Sequence, residues 1–369
     1  MNKAIYENII AFHPGYYIQN VIEEMEITQN EFAKRLNTTG KTLSKLLNGD
    51  IPLSNDLAEN LSLMLGTSVN VWINLQKKYE EKCSEIDRAK KIDKEKKYLK
   101  LLDYNYFSNL GVVSSVKDEN QRVVELCTAL KISSLSVLEQ PDLLTACRTS
   151  ILDVKSKNVV NANAWIQLGE NFARKVRCNE YSQNMLISTL PKLRSLTREN
   201  LTSSFKIIEK LLADCGVVLI ALPYLKNSGL NGAVKWLNKN KVMLLINDRG
   251  KDVALFWFTL FHELNHILKK RLKAVYLTPT NNNNQSILSL GRNDTDEEIE
   301  ADEFARNQLI PQEEYSKFIQ QNSFSLSSIQ NFADKIGISC DIVIGRLKHD
   351  KRLDWSNFSQ SKYCFSVNK

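Results

Sequence analysis

Phe256-Trp257-Phe258-Thr259-Leu260-Phe261-His262-Glu263-Leu264-Asn265-His266-Ile267-Leu268 is the stretch on which the reading of this chain turns. It spells H-E-x-x-H inside an apolar run that begins at Val253 and is long enough for a buried helix. Residues four apart share a helix face, so His262 and His266 can aim imidazole nitrogens at one ion. Zn²⁺ accepts such nitrogens, and Glu263 beside them can take a proton from the water that the ion activates. Only 4 histidines occur in 369 residues, and two of them stand here. The plain alternative is a pair of core histidines satisfied by backbone carbonyls.

A catalytic zinc site takes three protein ligands. The spacing H-E-x-x-H-x-x-G-x-x-H would supply a third histidine, but Lys269 stands at its glycine and Leu272 at its last position. His13 and His349 lie far off in sequence, so a carboxylate is expected. The next acidic cluster runs from Asp294 to Glu303. At about 100° per residue, Glu298, Ala301, Asp302, Ala305 and Leu309 share one helix face, with Glu300, Glu303 and Asn307 roughly opposite. A carboxylate on an otherwise apolar face needs a partner. Glu298 as ligand, and Asp302 as acceptor for a ligand histidine's other N–H, would satisfy both. Asp294, Asp296 and Glu297 suit instead a solvated helix N-terminus, where the dipole favours anions.

The run from about Ala221 to Pro311 resembles the ImmA/IrrE family of metallopeptidases. The resemblance is carried by Ser228-Gly229-Leu230-Asn231-Gly232-Ala233, by Val242 to Asn247, by Phe256 to His266, and by Glu298-Ile299-Glu300-Ala301-Asp302-Glu303-Phe304-Ala305 ending at Leu309-Ile310-Pro311. It implies a zincin-like peptidase with one zinc per chain, Glu298 as third ligand (Glu300 as the fallback) and Glu263 as general base. Asn265 departs from the family pattern, which has a small residue such as Gly or Ala there.

A second signal opens the chain. Thr28-Gln29-Asn30-Glu31 reads as a capping box for a helix through Leu36, with Phe32, Ala33 and Leu36 inward. Asn37-Thr38-Thr39-Gly40 is a turn. Thr39 can cap a second helix ending at Asn48, with Gly49 at the helix stop. Leu43, Leu46 and Leu47 form its core face, while Lys41, Thr42 and Lys45 project outward. Two short helices joined by a tight turn, the second with polar and basic tips, describe a helix-turn-helix. Gln29, Thr39, Lys41, Thr42 and Lys45 are its candidate DNA-binding residues. His13-Pro14-Gly15, Gln29 to Ala33, Leu46-Leu47-Asn48-Gly49 and Trp72 to Gln76 resemble the HigA-type antitoxin and repressor domain. That resemblance implies a five-helix unit of the Cro/C1 kind, with His13 a structural residue of its entry turn.

Charge and composition bound the rest. Residues 1–80 are not basic overall, yet Lys34, Arg35, Lys41 and Lys45 cluster around the second helix, and phosphate contacts need only a local patch. A net charge of +7 mildly favours nucleic acid. The chain has 7 cysteines with no C-x-x-C pair, which fits buried reduced thiols and a cytoplasmic location. No signal peptide opens it, and no apolar stretch reaches bilayer length, so no membrane partner is expected.

The sequence therefore predicts a mainly α protein with a small α+β domain. Its parts are a helix-turn-helix domain at 1–80, a helical middle region at 81–201, and a zincin-like peptidase domain with a small sheet and a helical tail at 202–369. Glu81 to Lys100 reads as an exposed helix or linker. Val217 to Ile220 and Val242 to Ile246 read as strands, and Asn281 to Asn284 as a loop between the two metal-binding helices. Two functional classes follow. One is a DNA-binding regulator, a homodimer on a two-fold operator, whose zinc endopeptidase cleaves a protein such as a repressor. The other is an antitoxin-like autorepressor that binds operator DNA and a toxin partner, its metal site structural or weakly active.

Overall fold

The computed structural model describes residues 2–140, 156–269, 275–279 and 295–358. The expected loop at 281–284, together with Leu272, Asp294, Cys147 and Cys364, lies outside the described residues. The chain forms two compact units, Met1–Lys96 and Lys97–Lys369. It is mostly helical with small sheets, as the periodicities predict.

The first unit opens with a hairpin that the sequence pattern does not predict, β1 (Lys3–Tyr6) and β2 (Ile9–Phe12), paired antiparallel. Five helices follow: α1 (Pro14–Glu24), α2 (Gln29–Arg35), α3 (Gly40–Asn48), α4 (Asn55–Leu65) and α5 (Val69–Leu99). Each early boundary has a local cause. The Nδ1 of His13 accepts from the Gly15 amide, so this buried histidine caps α1 and serves the entry turn. Thr28 Oγ1 caps α2 and Thr39 Oγ1 caps α3, while Gly49 at φ 76° ends α3 in the left-handed conformation that glycine adopts without penalty. Only half of the expected capping box forms, because the Glu31 carboxylate pairs with Arg35.

Phe32, Leu36, Leu43, Leu46 and Leu61 are almost wholly buried around α1 and Trp72. Burial of each such side chain stabilises by about 1.5–3 kcal/mol. Gly15 lets α1 lie directly on α3, since a Cβ there would overlap the carbonyl oxygen of Leu46. Gln76 of α5 accepts from the Leu53 amide at 3.0 Å, and Trp72 donates to Thr67 at 2.8 Å. The residues from Glu81 to Lys96 continue α5 without a break.

The second unit is built on a four-stranded sheet in the order β3-β5-β4-β6. Its helices before the sheet are α6 (Tyr104–Asn109), α7 (Glu119–Leu130), α8 (Ser156–Ala173), α9 (Gln183–Ser195) and α10 (Leu201–Asp214). The strands are β3 (Val217–Ala221), β4 (Leu230–Asn238), β5 (Lys241–Ile246) and β6 (Val275–Pro279), and α11 (Val253–Leu268) lies between β5 and β6. β3 runs parallel to β5, while β4 is antiparallel to both β5 and β6. The last helices are α12 (Thr295–Leu309), α13 (Gln312–Gln320), α14 (Leu326–Ile336) and α15 (Cys340–His349).

Strand alternation splits the sheet's side chains between two helical layers. Val242, Leu244 and Ile246 join Val234 and Trp236 in one core with Trp257, Leu260, Phe261 and Leu264 of α11. On the opposite face, Gly169 of α8 sits so close to Leu245 that a Cβ would meet its methyl groups at 2.7 Å. The helices of residues 97–201 thus contribute a layer to the sheet, and Tyr106 adds a hydrogen bond to the Pro223 carbonyl at 2.8 Å. Arg194 of α9 donates to the carbonyls of Gln308, Leu309 and Ile336, capping the C-terminal ends of α12 and α14 together. No described helix is long and apolar enough to cross a membrane.

Candidate functional site

α11 owes its helical form to its apolar content and to Asp252, whose carboxylate accepts from the amides of Ala254 and Leu255. It is buried nearly all round, so His262, Glu263 and His266 are withdrawn from water at 2%, 0% and 1% exposure. α12 offers one buried stripe, Ala301, Ala305 and Leu309, and on that face Glu298 and Asp302 are half-buried. Glu300, Glu303 and Asn307 face outward, and Glu300 pairs with Lys269.

Packing of α12 against α11 brings His262, His266 and Glu298 into one cluster. The two Nε2 atoms are 3.1 Å apart, His262 Nε2 lies 3.2 Å from Glu298 Oε2, and His266 Nε2 lies 3.3 Å from Glu298 Oε1. Donors about 2.0–2.1 Å from a common tetrahedral centre stand about 3.3 Å apart, the edge set by zinc bond lengths. The donor set fits a tetrahedral divalent ion in both spacing and ligand chemistry. His262 Nδ1 meets Asp302 Oδ1 at 2.9 Å, leaving its Nε2 for the cluster. Asp302 in turn lies 3.7 Å from the Arg306 guanidinium.

The electrostatics follow from burial and nearby anions. Burial opposes charge on His262, but Asp302, Glu298 and Glu263 together outweigh it and lift its pKa to about 10. Burial, with the charge of His262, takes the pKa of His266 below the usual value despite Glu298. Glu298 is opposed by its own burial, yet the two imidazoles hold its carboxyl down at about 2. His262 and Glu298 thus stabilise each other's charged forms within the cluster.

Glu263 lies against β4. Gly232 of that strand faces it, together with Thr259 one turn earlier on α11. Neither Tyr315 nor His349 supplies a proton donor to the cluster. The Tyr315 hydroxyl donates to Asp350 at 2.8 Å, and His349 is exposed beside the same aspartate. The side chain of Tyr276 lies outside the described residues. The sequence singles out the segment around Gly232 but not the strand β4, so the approach of Gly232 to Glu263 emerges only from the structure.

In the first unit, Gln29, Thr39, Lys41 and Lys45 are exposed and Thr42 is partly so, along the outer face of α3 and the start of α2. The Thr39 hydroxyl is engaged in the cap, 2.9 Å from the Thr42 hydroxyl. Lys34, Lys41 and Lys45 make no ion pair within 4.0 Å among the described residues, whereas Arg35 pairs with Glu31. A short, capped second helix with free cations on its outer face is the arrangement that enters a major groove.

Comparisons with known proteins agree with this unit. The helix-turn-helix family model HTH_3 matches residues 18–72. The chain is 31% identical over 83 residues to "Uncharacterized HTH-type transcriptional regulator YddM" of Escherichia coli, an alignment that covers 21% of this chain and 88% of that protein. A crystal structure of a "putative antidote protein of plasmid maintenance system" from Nostoc punctiforme is 25% identical, covering 23% of this chain and 92% of that one, with a TM-score of 0.22. Through its first unit the chain belongs to the helix-turn-helix family of transcriptional regulators, and operator DNA is the partner such a domain binds.

Proposed function

We propose that this chain is a DNA-binding transcriptional regulator carrying a zinc-dependent endopeptidase in its second unit. The observation that carries the reading is the meeting of His262, His266 and Glu298 at tetrahedral spacing, with Glu263 beside them and Asp302 behind His262. His262, His266 and Glu298 would hold one zinc per chain. Bound there, zinc supplies Lewis acidity, polarising a peptide carbonyl and bringing the pKa of an attacking water towards about 7. Asp302 fixes the tautomer of His262 by accepting its Nδ1–H. Glu263 takes the proton of the attacking water and passes it to the leaving amine. Burial of His262, Glu263 and His266 in α11 strengthens the interactions on their side of the cluster, while Glu298 and Asp302 keep a solvent-facing edge.

The helix-turn-helix would bring this chemistry to an operator, as a homodimer on a two-fold site. The substrate would then be a regulatory protein such as a repressor. A Glu263→Gln variant tests the reading, since Glu263 is not a ligand. It should keep zinc, fold and operator binding while abolishing cleavage, and a processed protein should appear in wild-type cells alone. Identical protein fragments and identical regulation in the two strains would instead favour an antitoxin-like binding module with a toxin partner and a structural metal site.

A further inference from the structure

We infer that Gly232 is a positioning residue for Glu263, reserving the space in which its carboxylate lies; the inference rests on the endopeptidase reading and deepens it. Gly232 pairs with Ile246 of β5 and with Thr278 of β6, so β4 is held from both sides at this point. The register shifts between Leu230 and Gly232, a bulge of the kind that re-aims a strand locally. Ile246 belongs to the core beneath α11, and its cross-strand partner Gly232 presents its bare Cα to the same helix. A Cβ there would overlap Glu263 Oε1, lie 3.1 Å from Glu263 Cδ and lie 2.9 Å from Thr259 Cγ2. The obstacle on one side is a strand fixed by two neighbours. On the other is a helix that also carries His262 and His266. The groups able to give way are the side chains of Glu263 and Thr259, and the deeper overlap falls on the Glu263 carboxylate, so a residue larger than glycine displaces the general base and leaves the ligands where they are.

The test is a double-mutant cycle in the full-length chain. Gly232→Ala should lower the thermal midpoint of the second unit by several degrees with one zinc still bound. In a Glu263→Ala background the same change should cost far less, because the carboxylate that it meets is gone. On a cleavable substrate, Gly232→Ala should lower kcat by about a hundredfold with KM unchanged, as expected when a reacting group is displaced by about 1 Å. If Gly232→Ala alone does not fold, recovery of folded protein in Gly232→Ala/Glu263→Asp, whose carboxylate is withdrawn by one methylene, carries the same result. An equal loss of midpoint in both backgrounds, wild-type turnover in Gly232→Ala, or no recovery in the Asp double variant overturns the inference. Inactivity of the wild-type chain would overturn the endopeptidase reading alone, and the unfolding cycle would still decide whether Gly232 makes room for Glu263.

Discussion

Removing the Asp302 carboxylate should weaken zinc binding without removing a ligand. Asp302 Oδ1 accepts from His262 Nδ1 at 2.9 Å, and this hydrogen bond aims the opposite nitrogen at His266 and Glu298. Partners of this kind contribute about 10–100-fold in metal affinity. That range corresponds to about 1.4–2.7 kcal/mol. Asp302 keeps 40% side-chain exposure and has a guanidinium nearby, so solvent screening puts Asp302→Ala in the lower half of it, about 10–30-fold. Asp302→Asn retains an oxygen acceptor but loses the charge, and should fall between Ala and wild type. Chelator-competition titration measures the affinities, with circular dichroism and operator binding as controls for fold. Wild-type affinity in Asp302→Ala, or an Asn variant as weak as Ala, would refute the idea that this hydrogen bond orients His262.

Three further outcomes are expected. Glu298→Ala should abolish stoichiometric zinc while Glu300→Ala, which removes only the outward pair with Lys269, should retain it; metal analysis of both purified variants decides. Lys41→Ala combined with Lys45→Ala should fold normally, bind operator more weakly and flatten the salt dependence, by about 0.9 log unit for each phosphate left unneutralised; an unchanged slope removes α3 from the interface. His13 gives a pH dependence. Burial depresses its pKa below 6.5, outweighing the hydrogen bond to the Ile51 carbonyl, and its Nδ1 must stay unprotonated to accept from Gly15. A depressed histidine contributes stability that is complete above pH 6.5 and is lost as the pH falls below that value towards the folded pKa. Protection factors of the α1 amides, measured against the intrinsic exchange rate at each pH, should therefore fall below pH 6.5 in wild type and fall less in His13→Asn.

The parts legible in the sequence were those with local causes. Thr28, Thr39 and Gly49 set helix ends through interactions within a few residues, and helical phase places Glu298 on the inner face of α12 and Glu300 on the outer. β4 was missed because Leu230-Asn231-Gly232-Ala233 carries two residues depleted in strands. Its stability comes from β5 and β6 on either side, which no local pattern records. The hairpin of β1 and β2 is only four residues per strand, too short for alternation to stand out. The middle helices were visible as helices, but the packing of α8 on β3, β4 and β5, with Gly169 against Leu245, joins residues far apart in sequence and shows only in three dimensions. Glu31 looked like half of a reciprocal cap until Arg35, one turn on, claimed its carboxylate.

Ala301 and Ala305, wholly buried one turn apart, carry no chemistry of their own. They lie on the face of α12 that also carries Glu298 and Asp302, and with α12 packed against α11 one glutamate spans both imidazoles. On the proposed zinc reading, a bulkier residue at either buried alanine should push α12 outward and part Glu298 from the two imidazoles while every donor stays in the chain, so side chains without chemistry would govern the site.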